Sequence, residues 1–581
     1  MIIGILILFL TNYFSGYFIY KYFFKKVNLL EKIILPQSFS LITTPIMFTL
    51  LYLIAGFNLA IYTLPLLIIF TFIISIKFRQ KNYKLKITKA LLLAILILAI
   101  IVILQTYLLA FLRLQKFTDI TLHVSIANEI KNSRNLPPDN ACLYGGKQYY
   151  QWFPDLMVAI MAIYSGYSVF EIYPFFIIYV ALLLYANLLL LGYSIFKDTN
   201  LAVMSMVILS VAPPGYSVIL VVLFFYTFIK FVQSKSERFA ILAGMICSSL
   251  IYFHALSFIF SCLFLFSFCL YKLINFNKKE LKQLILLIIP LVFVLPYFLL
   301  VKEVVGSFFL FEPFVGLIYN YIKIFNILLL ILPFGIIKVI KNRNEIGIDF
   351  LLLLITLFVF VNTFVMQKGP DINRFVNFMF FPIGLLALFY LKDKKPFTRN
   401  LIFFVIVIFL LYPILNDLIN YYSEQNIFAQ NIFMSDEYAI SVWIRQNTNV
   451  NDTILASPIS LYTAISERKV LICDPSAISS HFLDVKKNFV DEILMYTYPS
   501  RDLIEKYNIS YVVLGDLEYD FFKKYNLAPY NFSKSTAFTP VFNFGNYTIF
   551  KITNAQILPQ FVNKSIEENL NFTSYSRWWS L

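Results

Sequence analysis

Long apolar runs, separated by short polar and basic segments, dominate the first three quarters of the chain. Many runs approach or exceed the roughly 20 residues that a helix needs to cross about 30 Å of hydrocarbon. Residues 90–112 and 173–196 are clear examples. The pattern predicts apolar helices near residues 1–20, 35–57, 60–76, 90–112, 153–168, 173–196, 199–213, 216–232, 239–255, 256–271, 283–301, 322–340, 350–366, 374–391 and 400–421.

Positive charge orients these helices. Before residue 430 there are 34 Lys and Arg residues against 17 Asp and Glu residues, a net charge of +17, and 25 of the 34 bases lie in loops that would share one side. Cytoplasmic loops carry an excess of Lys and Arg. We therefore predict that these loops are cytoplasmic, and that residues 113–150 and everything after residue 421 lie outside.

Two interpretations make the number of spans consistent with this orientation of the loops. Either residues 153–168 form a re-entrant segment, or residues 199–232 form one broken span. Both predict a polytopic α-helical membrane protein with about 14 transmembrane helices. We expect a membrane domain over residues 1–425, with the outer loop 113–150, and a small extracytoplasmic α/β domain over residues 430–581.

The C-terminal tail has the composition of a soluble domain, with 13 Lys and Arg residues against 15 Asp and Glu residues. Alternation and β-branched residues predict strands, and amphipathic spacing predicts helices. The predicted strands are Thr453–Ala456, Lys469–Cys473, Tyr511–Leu514 and Tyr547–Ile552, and the predicted helices are Asp436–Gln446, Val485–Tyr496 and Arg501–Tyr507. Six Asn-x-Ser/Thr sequons, at Asn451, Asn508, Asn531, Asn546, Asn563 and Asn571, fit an external face or a chance excess in an Asn-rich chain.

Several classes of protein are disfavoured. The chain has no Walker A sequence and no GxGxxG motif, so we do not expect an ATP-driven pump or a nucleotide fold. Its five cysteines form neither a CxxC pair nor a Cys/His cluster, which predicts no disulfide framework and no zinc site. The basic charge belongs to the membrane half, so we expect the bilayer and not nucleic acid as its partner.

The outer loop holds the most informative polar residues. Asp119 directly follows a span, and His123 lies four residues later, so both share one helix face. A carboxylate at this boundary can deprotonate an acceptor hydroxyl or hold Mg²⁺ or Mn²⁺ beside a phosphate, with Glu129 as a second metal-binding candidate. The alternative is that Asp119 caps the helix and His123 binds it.

Further along the loop, Lys147, Tyr149 and Trp152 suit a lipid phosphate and a sugar face, although aromatic residues there could equally form an interfacial belt. His254 lies between two apolar runs, as a site residue or as a packing histidine. Arg374 could bind a phosphate, or pair with Asp371 at the start of a helix.

At the level of motifs, the chain resembles a GT-C membrane glycosyltransferase. FTDITLHVSIANEIKNSRNLPP and YYQWFP resemble the family's first outer loop, where an acidic residue after a span starts an amphipathic helix. EYAISVWIRQNTNVNDTILASPISLYTAISERKVLICD, EKYNISYVVLGD and FNFGNYTIFKI resemble its outer domain, the last as a closing β-hairpin. The resemblance implies that Asp119 is the catalytic or metal-binding acid, and that the donor is a polyprenyl-phosphate sugar.

Three features depart from that family. Three additional apolar spans precede the span before Asp119, Ile and Thr follow Asp119 where a second acid could stand, and the tail lacks the Trp-Trp-Asp-Tyr-Gly sequence of oligosaccharyltransferases. We therefore do not expect transfer of glycans to Asn in peptides.

The sequence thus predicts a membrane glycosyltransferase that moves a sugar from a polyprenyl-phosphate donor to a lipid, glycan or protein acceptor at the outer face. His123 would orient Asp119 or contact the donor phosphate. The alternatives are a non-catalytic subunit of a glycan assembly system, a transporter or flippase, and a glycan polymerase or ligase. Heavy use of Ile, Lys, Asn, Phe and Tyr indicates an AT-rich genome. Our hypothesis for the location is a prokaryotic, archaeal cell membrane.

Overall fold

The structure is a computed structural model that describes residues 2–78, 80–82, 119–140, 142–146, 152–209, 216–274, 278–296, 309–311, 325, 327–366, 378–424, 435–473, 486–524 and 527–560. Contacts divide the chain into two units. The membrane unit comprises residues 1–107 and 176–425, and the loop–tail unit comprises residues 108–175 and 426–581. The first outer loop therefore groups with the C-terminal tail.

The helices of the membrane half coincide with the apolar runs. They are α1 (Ile2–Phe23), α2 (Leu29–Ile76), α5 (Val169–Phe196), α6 (Thr199–Leu209), α7 (Tyr216–Ser234), α8 (Glu237–Phe253), α9 (Ala255–Ile274), α10 (Lys278–Ile288), α11 (Ile327–Lys341), α12 (Glu345–Thr363), α13 (Phe380–Lys392) and α14 (Pro396–Glu424). Within the described residues, four helices are long and apolar enough to cross a membrane: α2, α5, residues 217–234 of α7, and α9. The protein is a multi-pass membrane protein.

Helix α2 comprises two of the predicted spans. Gly56 interrupts it with φ 75° and ψ 171°, a conformation that residues with a Cβ rarely adopt. Large apolar side chains on both sides of the break, including Ile54 (83% exposed) and Tyr62 (77% exposed), face outward. Such exposure is stable only when hydrocarbon surrounds the helix.

The N-terminal hairpin is fixed at two points. Gly16 lets α1 approach α2 so closely that a Cβ at that position would lie 1.9 Å from the Pro36 carbonyl oxygen. Asn28 and Glu31 form a capping box that starts α2. The buried Glu31 carboxylate also accepts from Lys230 Nζ (2.9 Å) and the Tyr226 hydroxyl (2.6 Å), which joins the hairpin to α7.

Short strands connect some helices. Strand β1 (Lys26–Val27) pairs in parallel with β2 (Lys81–Asn82), and β3 (Phe309–Phe311) pairs antiparallel with β4 (Phe364–Met366). A 3₁₀ turn, Ile289–Val294, extends α10.

The loop–tail unit is built around a five-stranded sheet. Its strands are β5 (Thr453–Leu455), β6 (Lys469–Val470), β7 (Ile509–Leu514), β8 (Phe538–Phe544) and β9 (Tyr547–Ile552), in the order β6-β5-β7-β9-β8. Strand β5 is parallel to β6 and β7, whereas β9 is antiparallel to β7 and β8. The helices of this unit are α3 (Asp119–Ser133), α4 (Trp152–Ser165), α15 (Asp436–Asn447), α16 (Ser460–Ser466), α17 (Lys486–Thr497), α18 (Arg501–Tyr507) and α19 (Asp516–Lys524).

A disulfide corrects the prediction from the cysteines. Cys142 in the loop bonds to Cys473 in the tail. Around this bond the Cys473 N–H donates to the Cys142 carbonyl (2.9 Å) and the Tyr144 N–H donates to the Leu471 carbonyl (3.1 Å). The two cysteines lie 331 residues apart, so no local spacing could have revealed the pair.

Candidate active site

Helix α3 begins at Asp119, as the sequence predicts for the amphipathic segment after a span. Asp119 stands in its first turn, where the helix dipole favours a negative charge. His123 follows one turn later on the same face. The side chain of Asp119 lies outside the described part of the chain, so the geometry below concerns His123 and its neighbours.

The partner of His123 is Asp155 in the first turn of α4. Nδ1 of the imidazole lies 3.0 Å from Oδ1 and 3.2 Å from Oδ2 of the carboxylate. The Asp155 side chain is only 1% exposed, whereas the His123 side chain is 32% exposed. The pair therefore combines a buried anion with an imidazole that solvent or a ligand can reach.

With Asp155 ionised, this geometry determines the tautomer of His123. A carboxylate only accepts hydrogen bonds, so Nδ1 carries the proton and donates to Asp155. The lone pair is then on Nε2, the imidazole atom that can take a proton, accept from a hydroxyl or bind a metal in histidine chemistry. A buried carboxylate that orients a histidine in this way occurs at catalytic bases and behind metal ligands.

Asp155 is the residue that sequence reasoning missed. Its only signal is an ionisable side chain in the apolar run WFPDLMVAIMAIYS, where an unpaired charge would be costly. Its partner lies 32 residues away on another helix, and the sequence pattern alone does not connect the two.

The polar face of α3 binds the C-terminal end of α16. Asn128 Nδ2 donates to the carbonyls of Thr463 (3.2 Å) and Ala464 (2.9 Å), and Ser125 shares a 2.5 Å hydrogen bond with the Thr463 hydroxyl. Lys131 Nζ pairs with Glu467 at 2.8 Å. The Thr463 carbonyl also accepts from the Glu467 N–H at the end of the helix, so the contacts of α3 add to that bond and hold α3 against the end of α16.

Glu129, the second metal-binding candidate, belongs to this same contact. Its buried carboxylate lies 3.0 Å from Lys469 Nζ, which also pairs with Asp139 at 3.4 Å. Burial, and then the Asp139 charge, raise the pKa of Glu129 even though Lys469 opposes the shift. Across the described residues no three His, Cys, Asp or Glu side chains converge as a metal site would require.

The other predicted site residues are dispersed or undescribed. Trp152 starts α4 one turn before Asp155 and packs edge-on against Phe153, with ring centroids 4.6 Å apart. Lys147, Tyr149 and Arg374 lie outside the described residues.

His254 lies in the membrane unit, between α8 and α9. Its Nδ1 accepts from the Ser257 N–H (3.2 Å) and lies 2.9 Å from the Ser257 hydroxyl. These contacts cap the first turn of α9, which agrees with the packing alternative.

The sequence matches no known family model and no curated protein. Among solved structures, ArnT from Cupriavidus metallidurans bound to undecaprenyl phosphate aligns over 80% of this chain and 99% of that chain, with 11% identity and a TM-score of 0.49. The oligosaccharyltransferase AglB from Archaeoglobus fulgidus, in complex with an inhibitory peptide and a dolichol-phosphate, aligns over 74% of this chain and 69% of that chain, with 14% identity and a TM-score of 0.43.

Proposed function

We propose that this chain is a membrane glycosyltransferase. It moves a sugar from a polyprenyl-phosphate-linked donor to an acceptor hydroxyl at the outer face of the cell membrane. The observation that carries the proposal is the buried Asp155 carboxylate bound to His123, one helical turn after Asp119. The proposal rests on this site and not on the fold, because one fold can host many functions.

In this mechanism Asp119 takes the proton of the acceptor hydroxyl as its oxygen attacks the anomeric carbon. The bond from that carbon to the donor phosphate breaks, and the phosphate leaves with the electron pair. His123 presents Nε2 to the acceptor or to the departing phosphate, while Asp155 holds its orientation. Lys147 and Arg374 stay proposed phosphate contacts, and Tyr149 and Trp152 stay proposed sugar contacts.

The loop–tail unit is proposed to be extracytoplasmic, above about 14 spans. A disulfide such as Cys142–Cys473 forms in oxidising compartments. The four sequons that the structure describes, at Asn451, Asn508, Asn531 and Asn546, are all exposed. Both features suit an outer face, and an archaeal membrane is the proposed setting.

The test is transfer from a labelled polyprenyl-phosphate hexose by purified protein in lipid nanodiscs. We expect Asp119→Asn to reduce transfer by about 10²-fold or more, because the general base is removed. The matched control is Asp520→Asn, which makes the same chemical change at an exposed position in α19. Equal transfer by wild type and Asp119→Asn would refute the assigned role.

A wild-type protein that shows no turnover with any common donor hexose would favour the non-catalytic subunit. Metal dependence is read in the same assay with and without Mg²⁺ or Mn²⁺.

A further inference from the structure

An apolar groove lies within the membrane unit, beside the N-terminal hairpin. It has a volume of about 410 Å³, and its walls come from α1, both parts of α2, and α8. Phe18 and Tyr22 line it on α1, Met47 and Leu67 on α2, and Met245 on α8. This volume is in the range of small-molecule sites in proteins.

The Ser15, Thr43 and Thr71 hydroxyls that line the groove have partners in the protein. Ser15 Oγ lies 2.7 Å from Thr44 Oγ1, and the Thr71 hydroxyl donates to the Ile68 carbonyl at 2.9 Å. Because these hydroxyls are already bonded, the groove offers an occupant a mainly apolar surface. Beside it, Phe70 and Ile73 are exposed, so this side of the hairpin faces the acyl region of a bilayer.

One end of the groove is cationic. The Arg238 guanidinium lies over the Tyr22 ring, 5.6 Å from its centroid, and Tyr22 is both a groove wall and 42% exposed. Lys21 Nζ donates to the Phe78 carbonyl (3.2 Å), and the Phe78 ring contacts Tyr22. We call this end the cationic rim; it comprises Arg238 and Lys21, together with Lys25 and Lys26, which follow α1 in sequence, and Lys77, which follows α2.

The rim is not neutralised by the acids that the structure describes nearby. Glu237 pairs with Lys282 at 2.7 Å, and Glu31 is buried against Lys230. Lys25, Lys26, Lys77 and Arg238 are exposed. An apolar groove that ends in clustered cations complements a molecule with an apolar chain and an anionic head.

We propose that this groove binds one anionic glycerophospholipid of the surrounding membrane. A hydrocarbon chain lies between α1 and α2, and the headgroup phosphate contacts Arg238 and its neighbours on the cationic rim. The site is independent of the proposed transferase function, since none of its residues is assigned to the reaction. It lies in the additional N-terminal spans, and it gives those spans a binding role.

Native mass spectrometry of the full chain, released from detergent, tests the proposal. The probes are dioleoyl phosphatidylglycerol and dioleoyl phosphatidylcholine, which differ only in the headgroup. We expect one retained phosphatidylglycerol, bound at least about fivefold more tightly than phosphatidylcholine, the effect of one cation at an anionic headgroup. Arg238→Gln should reduce that preference about fivefold, whereas Lys341→Gln, an exposed cation at the end of α11, should leave it unchanged.

A second variant fills the groove. Leu67→Trp should weaken retention of phosphatidylglycerol by about tenfold, because the indole occupies the space of the chain. If that variant does not fold, the exposed Arg238 position decides alone. Equal retention of both lipids, or retention of neither by wild type (as when residues 90–112 of the chain fill the groove), would overturn the proposal.

Discussion

His123 and Asp155 are the residues on which the proposed chemistry depends most directly. A histidine can serve as a base, a phosphate contact or a metal ligand, and its neighbour selects among these roles by selecting the tautomer. Asp155 is almost fully buried and bonds Nδ1. The arrangement leaves Nε2 as the nitrogen that Asp155 does not bind.

Asp155→Asn tests that assignment. An amide fits the same space, but it can present its NH₂ group to Nδ1 and so stabilise the wrong tautomer. We expect sugar transfer to fall by about 10- to 100-fold, the usual range for the residue that orients a catalytic or metal-binding histidine. The pH profile of transfer should shift as well, which a merely structural loss would not cause. An unchanged rate and profile would remove Asp155 from the mechanism.

Glu518 offers a second residue-scale prediction, in the tail. Its carboxylate is fully buried and accepts from the Ser457 N–H at 3.0 Å. Burial raises the pKa of Glu518 to about 7, against about 4.3 in an unfolded chain. Glu492, also fully buried, has a raised pKa through burial and the Glu518 charge. In the folded protein both carboxyls therefore favour the neutral, protonated form.

The direction in which stability changes with pH follows from the raised pKa. Stability is greatest at acid pH and is lost as the pH rises through about 7, because the unfolded state releases the proton first. We expect Glu518 alone to lower the free energy of unfolding by about 3 kcal/mol between pH 5 and pH 8. Unfolding by guanidinium in detergent micelles at both pH values measures this change in the free energy of unfolding. Glu518→Gln should flatten the decline, while the exposed Glu505→Gln should not; parallel curves for all three proteins would contradict this.

At the scale of elements, the hydrophobic runs predicted well which segments are helices, and predicted the helix boundaries poorly. Nearly every apolar run within the described residues became a helix, because burial in hydrocarbon leaves the backbone no other partner. Two runs merged into α2, since Gly56 permits a break without a polar loop. In the tail, the structure has strands at all four predicted positions.

The missed elements depended on tertiary contacts. The resemblance of FNFGNYTIFKI to a closing β-hairpin indicated strand β8, but the hydrophobic pattern did not, because β8 carries Pro540 and is mostly exposed. It exists because it pairs with β9. Asp155 was missed for the same reason, since its significance comes from a residue on another helix.

Asn128→Ala tests the contact between α3 and α16. The change removes two hydrogen bonds: the Thr463 carbonyl keeps the Glu467 N–H as a donor, whereas the Ala464 carbonyl loses the donor that Asn128 supplies. A buried group left unpaired costs about 1–3 kcal/mol. We therefore expect the loop–tail unit to lose about that much stability and to unfold at a lower temperature. Gln446→Ala, on the exposed face of α15, is the control. Matching losses in both variants would show that the contact contributes nothing specific.

At the scale of the whole molecule, one covalent bond joins a loop among the spans to the tail that follows them. We expect peptide mapping without reductant to recover Cys142 and Cys473 in one linked fragment. Replacing both by Ser should destabilise the loop–tail unit by about 2–5 kcal/mol, the usual effect of losing a native disulfide. Recovery of both cysteines as free thiols from freshly isolated membranes would contradict the bond and the proposed external location.

That bond also has a consequence for how the protein is made. Ribosomes add about 5–20 residues per second, so the 331 residues between the two cysteines require about 15 to 65 seconds of synthesis. Throughout that interval the Cys142 thiol must wait, unpaired, while the remaining spans enter the membrane. A chain that stops before residue 473 can never close the bond, and it would expose a reactive thiol to the enzymes that survey newly made membrane proteins.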